Sequence, residues 1–433
     1  MKLLIVFIVL AFVLCAPLTL LHAQGETAVP FLLIPSSPEG NGMGGIIGTT
    51  PTENPMAATA NPGQLGLMSL NNIASIGFYP VSTTWLPGYT NSDFTYSVIA
   101  VNAGIRLNQW KPLPFGLSIG IGYAHISNGL GNINVSYYGS SSISSYTAEE
   151  HSNNFTLGIG IEQSIRIGFG LTYKRINSNL LPEGMYTNGN ASTFAFDLGL
   201  IMDAPVTEII KEKTGAPLFT FSKTEPVVDI ALSSAWNNID DHFVNYLDPG
   251  QGDPLPRYAM IGMSCKAGLA LPIGSTKWEV ISLTLARQVE DVLVERFAEV
   301  VDSNGNVVAY APRPRYNSGF GSIQFFNNLL LGEGNNHVTL HKGWQLNLGE
   351  FVSLRGGSVH GKTDSYTTDG WGLQLRGLLK LLDEVSPEFS DGPLPMFVLN
   401  HIDLRYDHAS SAYDDPENPN DGVTYNSISV VVK

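Results

Sequence analysis

Charge is scarce in this sequence. Asp, Glu, Lys and Arg make up 14% of its 433 residues, where soluble proteins carry about 25%. Basic residues are the scarcer sign, 23 against 38 acidic ones. The net charge of −15 makes nucleic acid an unsuitable partner. Cysteine is nearly absent: Cys15 falls in an N-terminal apolar stretch and Cys265 is the only other. The mature chain therefore has no internal disulfide and no cysteine-based metal site. Beyond residue 23, no run reaches the roughly 18 apolar residues that a spanning helix needs. These absences argue against a helical membrane protein and against a soluble helical enzyme. A disordered polar chain is excluded too, because 43% of residues are hydrophobic. What is abundant is Gly (45), Pro (26), Phe (20) and Tyr (17).

The N-terminus reads as a secretory signal peptide over 1–23. Lys2 supplies the positive start, Leu3 to Leu14 the apolar core, and Leu21-His22-Ala23 a cleavage site before Gln24. A membrane anchor over 3–21 is the rival reading, but Pro17 and Thr19 interrupt it. Cys15 follows the bulky Leu14, which a lipoprotein cleavage site does not favour.

The rest of the chain alternates. Phe155, Leu157, Ile159 and Ile161 interleave with Thr156, Gly158, Gly160 and Glu162. After a short turn, Ile165, Ile167, Phe169, Leu171 and Tyr173 interleave with Arg166, Gly168, Gly170 and Thr172. This is a β-hairpin with one apolar face and one small or polar face. Strands this long, with charge on one side only, suit a membrane barrel, lipid outside and lumen inside. On that reading Ile159→Arg is costly and Gly160→Ser is mild.

Similar segments predict fourteen strands, near 72–79, 93–107, 115–126, 153–162, 164–176, 192–202, 226–236, 257–270, 277–290, 336–347, 350–358, 368–380, 396–408 and 422–432. Tight turns near 163, 273 and 349 then share the periplasmic end. Long connections at 127–152, 177–191, 237–256, 291–335, 359–367 and 409–421 share the outer end, while 203–225 and 381–395 fit less neatly. Phe94, Tyr96 and Val98 are even and Val101, Ala103 and Ile105 odd, a phase slip that predicts a β-bulge near residue 100. The loop 291–335 holds a hairpin around 302–306. Counting that hairpin and 318–326 as spanning strands gives sixteen as the alternative. The expected fold is an all-β transmembrane outer-membrane β-barrel. Its parts are a signal peptide (1–23), an N-terminal plug or leader (24–70) and the barrel with long extracellular loops (71–433).

Residues 31–66 read FLLIPSSPEGNGMGGIIGTTPTENPMAATANPGQLG. Gly42-Met43-Gly44-Gly45 and Asn61-Pro62-Gly63 resemble the opening of the PorV/PorQ family, within the FadL-like superfamily. Tyr173-Lys174-Arg175, Phe196-Asp197-Leu198-Gly199, Leu354-Arg355-Gly356-Gly357 and Gly370-Trp371-Gly372-Leu373 add weaker matches in order. The resemblance implies a fourteen-stranded barrel with a luminal plug, and a component of the type IX secretion system that tethers or receives exported cargo. The alternative is a FadL-like transporter of hydrophobic small molecules. The terminal Val430-Val431-Val432-Lys433 lacks the aromatic end common in barrels.

No catalytic site, metal site or cofactor is expected. There is no His-Glu-x-x-His, and Ser358 lacks the pattern of a nucleophile elbow. Asp240-Asp241-His242 reads as an exposed loop, and Asp302, Asn304 and Asn306 as a turn, because Val307 replaces the glycine of a calcium loop. Asp414, Asp415, Glu417, Asn420 and Asp421 read as a solvated tip.

The lumen-facing candidates are Arg106, Glu162, Arg166, Lys174, Asp197, Asp229, Lys266, Arg355, Arg376, His401, Asp403, Arg405 and Asp407. Interleaved signs predict cross-lumen pairing over a selective channel wall. Asn61, Pro62 and Gly63 are the plug or gate candidates, with Gly63 supplying a free φ and Gly63→Val expected to alter transport more than folding. Expected partners are outer-membrane lipid and either secreted cargo or other secretion components, or else a hydrophobic small molecule.

Overall fold

A computed structural model describes residues 27–433 apart from 81–93, 110–112, 137–142, 181–189, 241–242, 247–251, 274–275, 296–298, 302–306, 311–313, 362–364, 386–396, 398–400 and the single positions 218, 222, 336, 416 and 419. Fourteen antiparallel strands close into one barrel. They are β1 (Ala74–Tyr79), β2 (Phe94–Arg106), β3 (Gly116–Ser136), β4 (Ile143–Glu162), β5 (Arg166–Asn179), β6 (Asn190–Pro205) and β7 (Glu225–Ile239). They continue as β8 (Tyr258–Ile273), β9 (Thr276–Val292), β10 (Thr339–Leu348), β11 (Val352–His360), β12 (Ser365–Gln374), β13 (Ile402–Tyr413) and β14 (Thr424–Val432). Closure is between first and last: Ala74 lies opposite Val432. A closed sheet leaves no unpaired edge, which is what lets strands cross a bilayer.

The alternation determines which face meets lipid. Phe155, Leu157 and Ile159 are 53%, 57% and 49% exposed, and the outward residues of most other strands form the same apolar belt. A soluble protein does not leave such a belt bare, and here the closed wall puts it against hydrocarbon. The chain is therefore an outer-membrane β-barrel of the bacterial type. Among the described residues no helix is long and apolar enough to cross a membrane.

The strand count agrees with the sequence pattern, but several details differ. No bulge occurs near residue 100, since β2 keeps one register against β3 from Phe94 to Arg106. The apolar residues change face because the upper half of β2 presents apolar side chains to the lumen: Tyr96 and Val98 point inward and are 1% and 0% exposed. The stretch 127–152 is not a long loop, because β3 and β4 run on as paired strands as far as Ser136 and Ile143. β12 stops at Gln374, and the helix Leu375–Val385 takes over. With the helix Val206–Thr214, it occupies the two lower connections that fitted the tight-turn pattern poorly.

Sixteen strands are not formed. Glu299–Val301 pairs with Val307–Tyr310 as a separate hairpin, and 318–331 does not join the barrel. The chain instead turns back over the outer wall. Phe320 stacks on Trp236 of β7 at 4.3 Å between ring centres. A π-helical turn, Phe325–Leu331, buries Leu329 with Val289 of β9 and Leu340 of β10.

The two faces of the 155–173 hairpin fail for different reasons when changed. Ile159→Arg places a charge in the belt and is expected to cost about 2–4 kcal/mol near the midplane. The expectation that Gly160→Ser is mild does not survive, because a Cβ there would run into the Gly66 carbonyl and the Ser118 hydroxyl. Refolding into lipid vesicles, scored by heat-modifiability on a gel, should show both variants impaired. Wild-type behaviour of Gly160→Ser would mean that the lumen is emptier than this.

Candidate functional site

The lumen is filled by the N-terminal segment, in three layers. The upper layer is built on an apolar cluster, flanked at the height of Tyr96 by the buried polar row Asn128, Glu150 and Ser178. The chain is anchored near the outer rim, where the Ala28 N–H donates to the Pro254 carbonyl at 2.9 Å. Phe31 and Leu32 follow in a 3-10 turn and are buried among Tyr79, Tyr96, Val98, Ile126 and Tyr425. Tyr79 meets Tyr96 edge-on at 5.5 Å, and the Tyr96 hydroxyl donates to the Ile34 carbonyl at 3.2 Å.

The middle layer is backbone against backbone. Helix α1 (Gly63–Ser69) lies against β3, β4, β5 and β6. The inward residues there are glycines. A Cβ on Gly158 would stand 2.5 Å from the Gly66 nitrogen, and one on Gly168 would stand 2.7 Å from the Leu67 nitrogen. The opposite wall repeats the device: Gly343 and Gly357 face Met43 and Gly44, where an added Cβ on Gly357 would lie 2.5 Å from the Met43 carbonyl carbon. Gly44 and Gly45 turn the chain at φ +73° and +79°, a region that costs other residues. The Gly44 N–H donates to Thr368 Oγ1 at 2.9 Å, and the Gly44 carbonyl lies 2.6 Å from His341 Nδ1.

Asn61, Pro62 and Gly63 sit together at the start of α1. The fully buried Asn61 donates from Nδ2 to the carbonyls of Gly48 (3.0 Å) and Leu200 (3.1 Å). Its Oδ1 accepts the Gly63 N–H at 3.0 Å. Pro62 abuts Gly170 and Gly199. Gly63 is required for closeness, not for a free φ: it is helical, and a Cβ would stand 2.7 Å from the Gly168 carbonyl. Gly63→Val is thus a packing fault first, contrary to the reading that folding would be spared.

The lower layer is a charged vestibule of about 450 Å³ beneath α1. Arg166 meets Asp203 at 2.5 Å, and Lys266 bridges Asp229 and Glu279 at 2.9 Å each. Arg405 contacts Asp403 at 2.6 Å and Glu53 of the luminal segment at 2.7 Å. Lys433, the last residue, also pairs with Glu53. Nearby, Arg106 meets Glu162 at 2.5 Å. Higher on the wall, Lys174 meets Asp197 at 2.9 Å and Arg355 meets Asp407 at 2.6 Å.

Two named residues lie off the strands. Arg376 is on the helix Leu375–Val385, with its N–H 3.4 Å from Asp403, and His401 is exposed beside the Lys433 carbonyl. Asp203, Glu53, Glu279 and Lys433 were not singled out, because Glu53 lies in the non-periodic segment and the others near strand ends. Asp241, His242 and the turn 302–306 lie outside the described residues. The acidic tip folds on itself, with Asp421 accepting the Tyr413 N–H and Asp415 the Glu417 N–H.

No protein-family model and no curated protein sequence matches the chain. Among solved structures it is similar to the toluene transporter TodX of Pseudomonas putida, at 10% identity and a TM-score of 0.34 over 91% of this chain and 96% of that one. A FadL homologue of Pseudomonas aeruginosa overlaps over the same shares at 9% identity and 0.35. CdiB from Escherichia coli overlaps at 9% and 0.31, over 83% of this chain and 63% of that one. A likeness this loose carries no functional inference.

The Glu53 contacts tie the segment to the wall in a pH-dependent way. Burial alone would raise the Glu53 carboxyl, but the charges of Arg405 and then Lys433 outweigh it and hold the group below its ordinary value. A depressed folded-state value stabilises the fold above the unfolded carboxyl value, about 4.3, and the contribution is lost as pH falls through the folded one. Melting followed from pH 7 down to pH 3 should show a smaller acid-induced loss in Glu53→Gln than in wild type. Equal losses would mean that this tie does not hold the segment.

Proposed function

We propose that the barrel admits a hydrophobic small molecule from outside, and that residues 28–34 are its gate. The observation that carries this reading is the apolar cluster in the upper lumen. A channel for polar solutes needs a polar wall, yet here Tyr96, Val98, Ile126 and Ile176 turn inward. The space they line is occupied by the protein's own Phe31 and Leu32. Side chains of that kind stand where an apolar ligand would lie, so ligand and segment compete for one site. The charged vestibule below disfavours the same ligand, so entry requires residues 28–34 to swing aside while the part of the segment on the glycine bed stays in place. Asn61, Pro62 and Gly63 act in this scheme as the fixed point of the gate, and the paired luminal charges as the frame that keeps the wall round.

A second reading is the tethering of exported cargo, as the resemblance to PorV/PorQ implies. The filled lumen favours it in one respect, since a tether needs loops and rim but no pathway. The two readings separate on one variant. Phe31→Ala combined with Leu32→Ala removes the competing occupant. On the transport reading, the purified barrel should bind a fluorescent hydrocarbon probe roughly tenfold more tightly, the equivalent of about 1.4 kcal/mol. Cells carrying it should take up the probe faster. No probe binding by either protein, with a secreted protein retained at the surface only when the barrel is present, would favour tethering instead.

A further inference from the structure

Two cations stand on the lipid-facing wall, where the apolar belt gives no reason for them. Arg287 of β9 and Lys342 of β10 are direct cross-strand partners, and Ser358 of β11 continues the row. Leu285 and Trp344, two residues along their strands, are exposed on the outer wall, so strand alternation puts Arg287 and Lys342 outside as well. These residues line an open groove of about 440 Å³. Among the described residues, neither cation has a carboxylate within 4.0 Å. An outward acid, Asp369, lies one row lower and two strands from Lys342, and accepts a hydrogen bond from Ser410.

The groove is built, not incidental. Arg287 Nη1 donates to the carbonyls of Leu329 and Leu330 at 2.7 and 2.8 Å, at the end of the π-helical turn that covers the outer wall. This fixes the guanidinium through Nη1 at the edge of the groove that it lines. Lys342 keeps three donors and, among the described residues, its side chain makes no hydrogen bond or ion pair. Lys342 stands six residues above Leu348, the last residue of its strand. That is roughly 20 Å along the strand, or about 15 Å along the normal at a tilt near 40°. In a belt about 25 Å tall this is the upper part, from which a lysine stem reaches the headgroup level. Below the cations the outer rows are apolar: Leu283, Leu346 and Leu354, then Ile281, Leu348 and Val352.

We propose that this groove binds the phosphate of a phosphorylated glycolipid in the outer leaflet. The phosphate lies between Arg287 and Lys342, with the Ser358 hydroxyl as a further donor. Trp344 packs against the sugar, and the acyl chains run down the apolar rows. Charge decides for an anionic head, height for the outer leaflet, and the apolar rows for a lipid over a soluble anion.

The test uses the full chain in phosphatidylcholine nanodiscs, titrated with bisphosphorylated lipid A and followed by native mass spectrometry. Wild type should retain lipid A and bind its dephosphorylated form no better than phosphatidylcholine. Lys342→Gln should weaken lipid A binding about tenfold, and Lys342→Arg should restore it. The dephosphorylated-lipid arm needs no variant, so it decides even if Lys342→Gln folds poorly. Equal binding of the dephosphorylated lipid, or unchanged binding by folded Lys342→Gln, would overturn the proposal. So would displacement of lipid A by inorganic phosphate at matching concentration, which would mark a free-anion site.

Discussion

Everything inside this barrel depends on the approach of two backbones across missing side chains. The inward glycines of β4 and β5 lie against Pro62, Gly63, Leu65 and Gly66, closer than any Cβ allows. A glycine inside a strand costs roughly 0.5–1 kcal/mol relative to alanine. That cost is spread over Gly158, Gly160, Gly168 and Gly170 and is offset by packing that a larger residue would prevent. The segment gains in turn. At seven residues, α1 is too short to hold its helix alone in water, so its form depends on the wall.

Once the glycine bed holds the middle of the segment, its two ends are assigned by the lumen's own polarity. Phe31 and Leu32 reach the apolar upper chamber, and Glu53 faces the cations near the lower end. The charges there are paired across neighbouring strands and with the segment, so they brace the wall and leave the cavity polar without an excess of one sign. The barrel thus separates an apolar chamber on the outer side from a charged one on the periplasmic side, with close-packed backbone between them. Outside, the belt is interrupted where Arg287 and Lys342 face the bilayer, a feature independent of the lumen.

Much of this was legible in the sequence because strand period is a strong signal when one face meets lipid. The 155–173 hairpin showed its lipid face and its glycine face residue by residue, and the fourteen strands followed. The phase slip at 94–105 was misread as a bulge. Alternation reports only which residues are apolar, and an apolar lumen produces the same letters as a shifted register. Gly160 was expected to tolerate serine for a related reason: a small inward residue suggests open water, while here it marks contact. Glu53 carried no periodic signal, because it lies in the irregular segment, while Asp203 continues the inward phase of its strand one residue past the predicted end at 202. The outer drape of 318–331 was hidden because a short apolar run reads alike as strand or as surface helix.

The central claim is that the segment is packed on the glycine wall as firmly as the wall is on itself. Amide hydrogen exchange of the full barrel in nanodiscs, resolved to residues 56–70, tests it most directly. The account predicts protection there comparable to that of β4 and β5, lost only when the barrel unfolds. Exchange of these amides within seconds, while the strands stay protected, would contradict it.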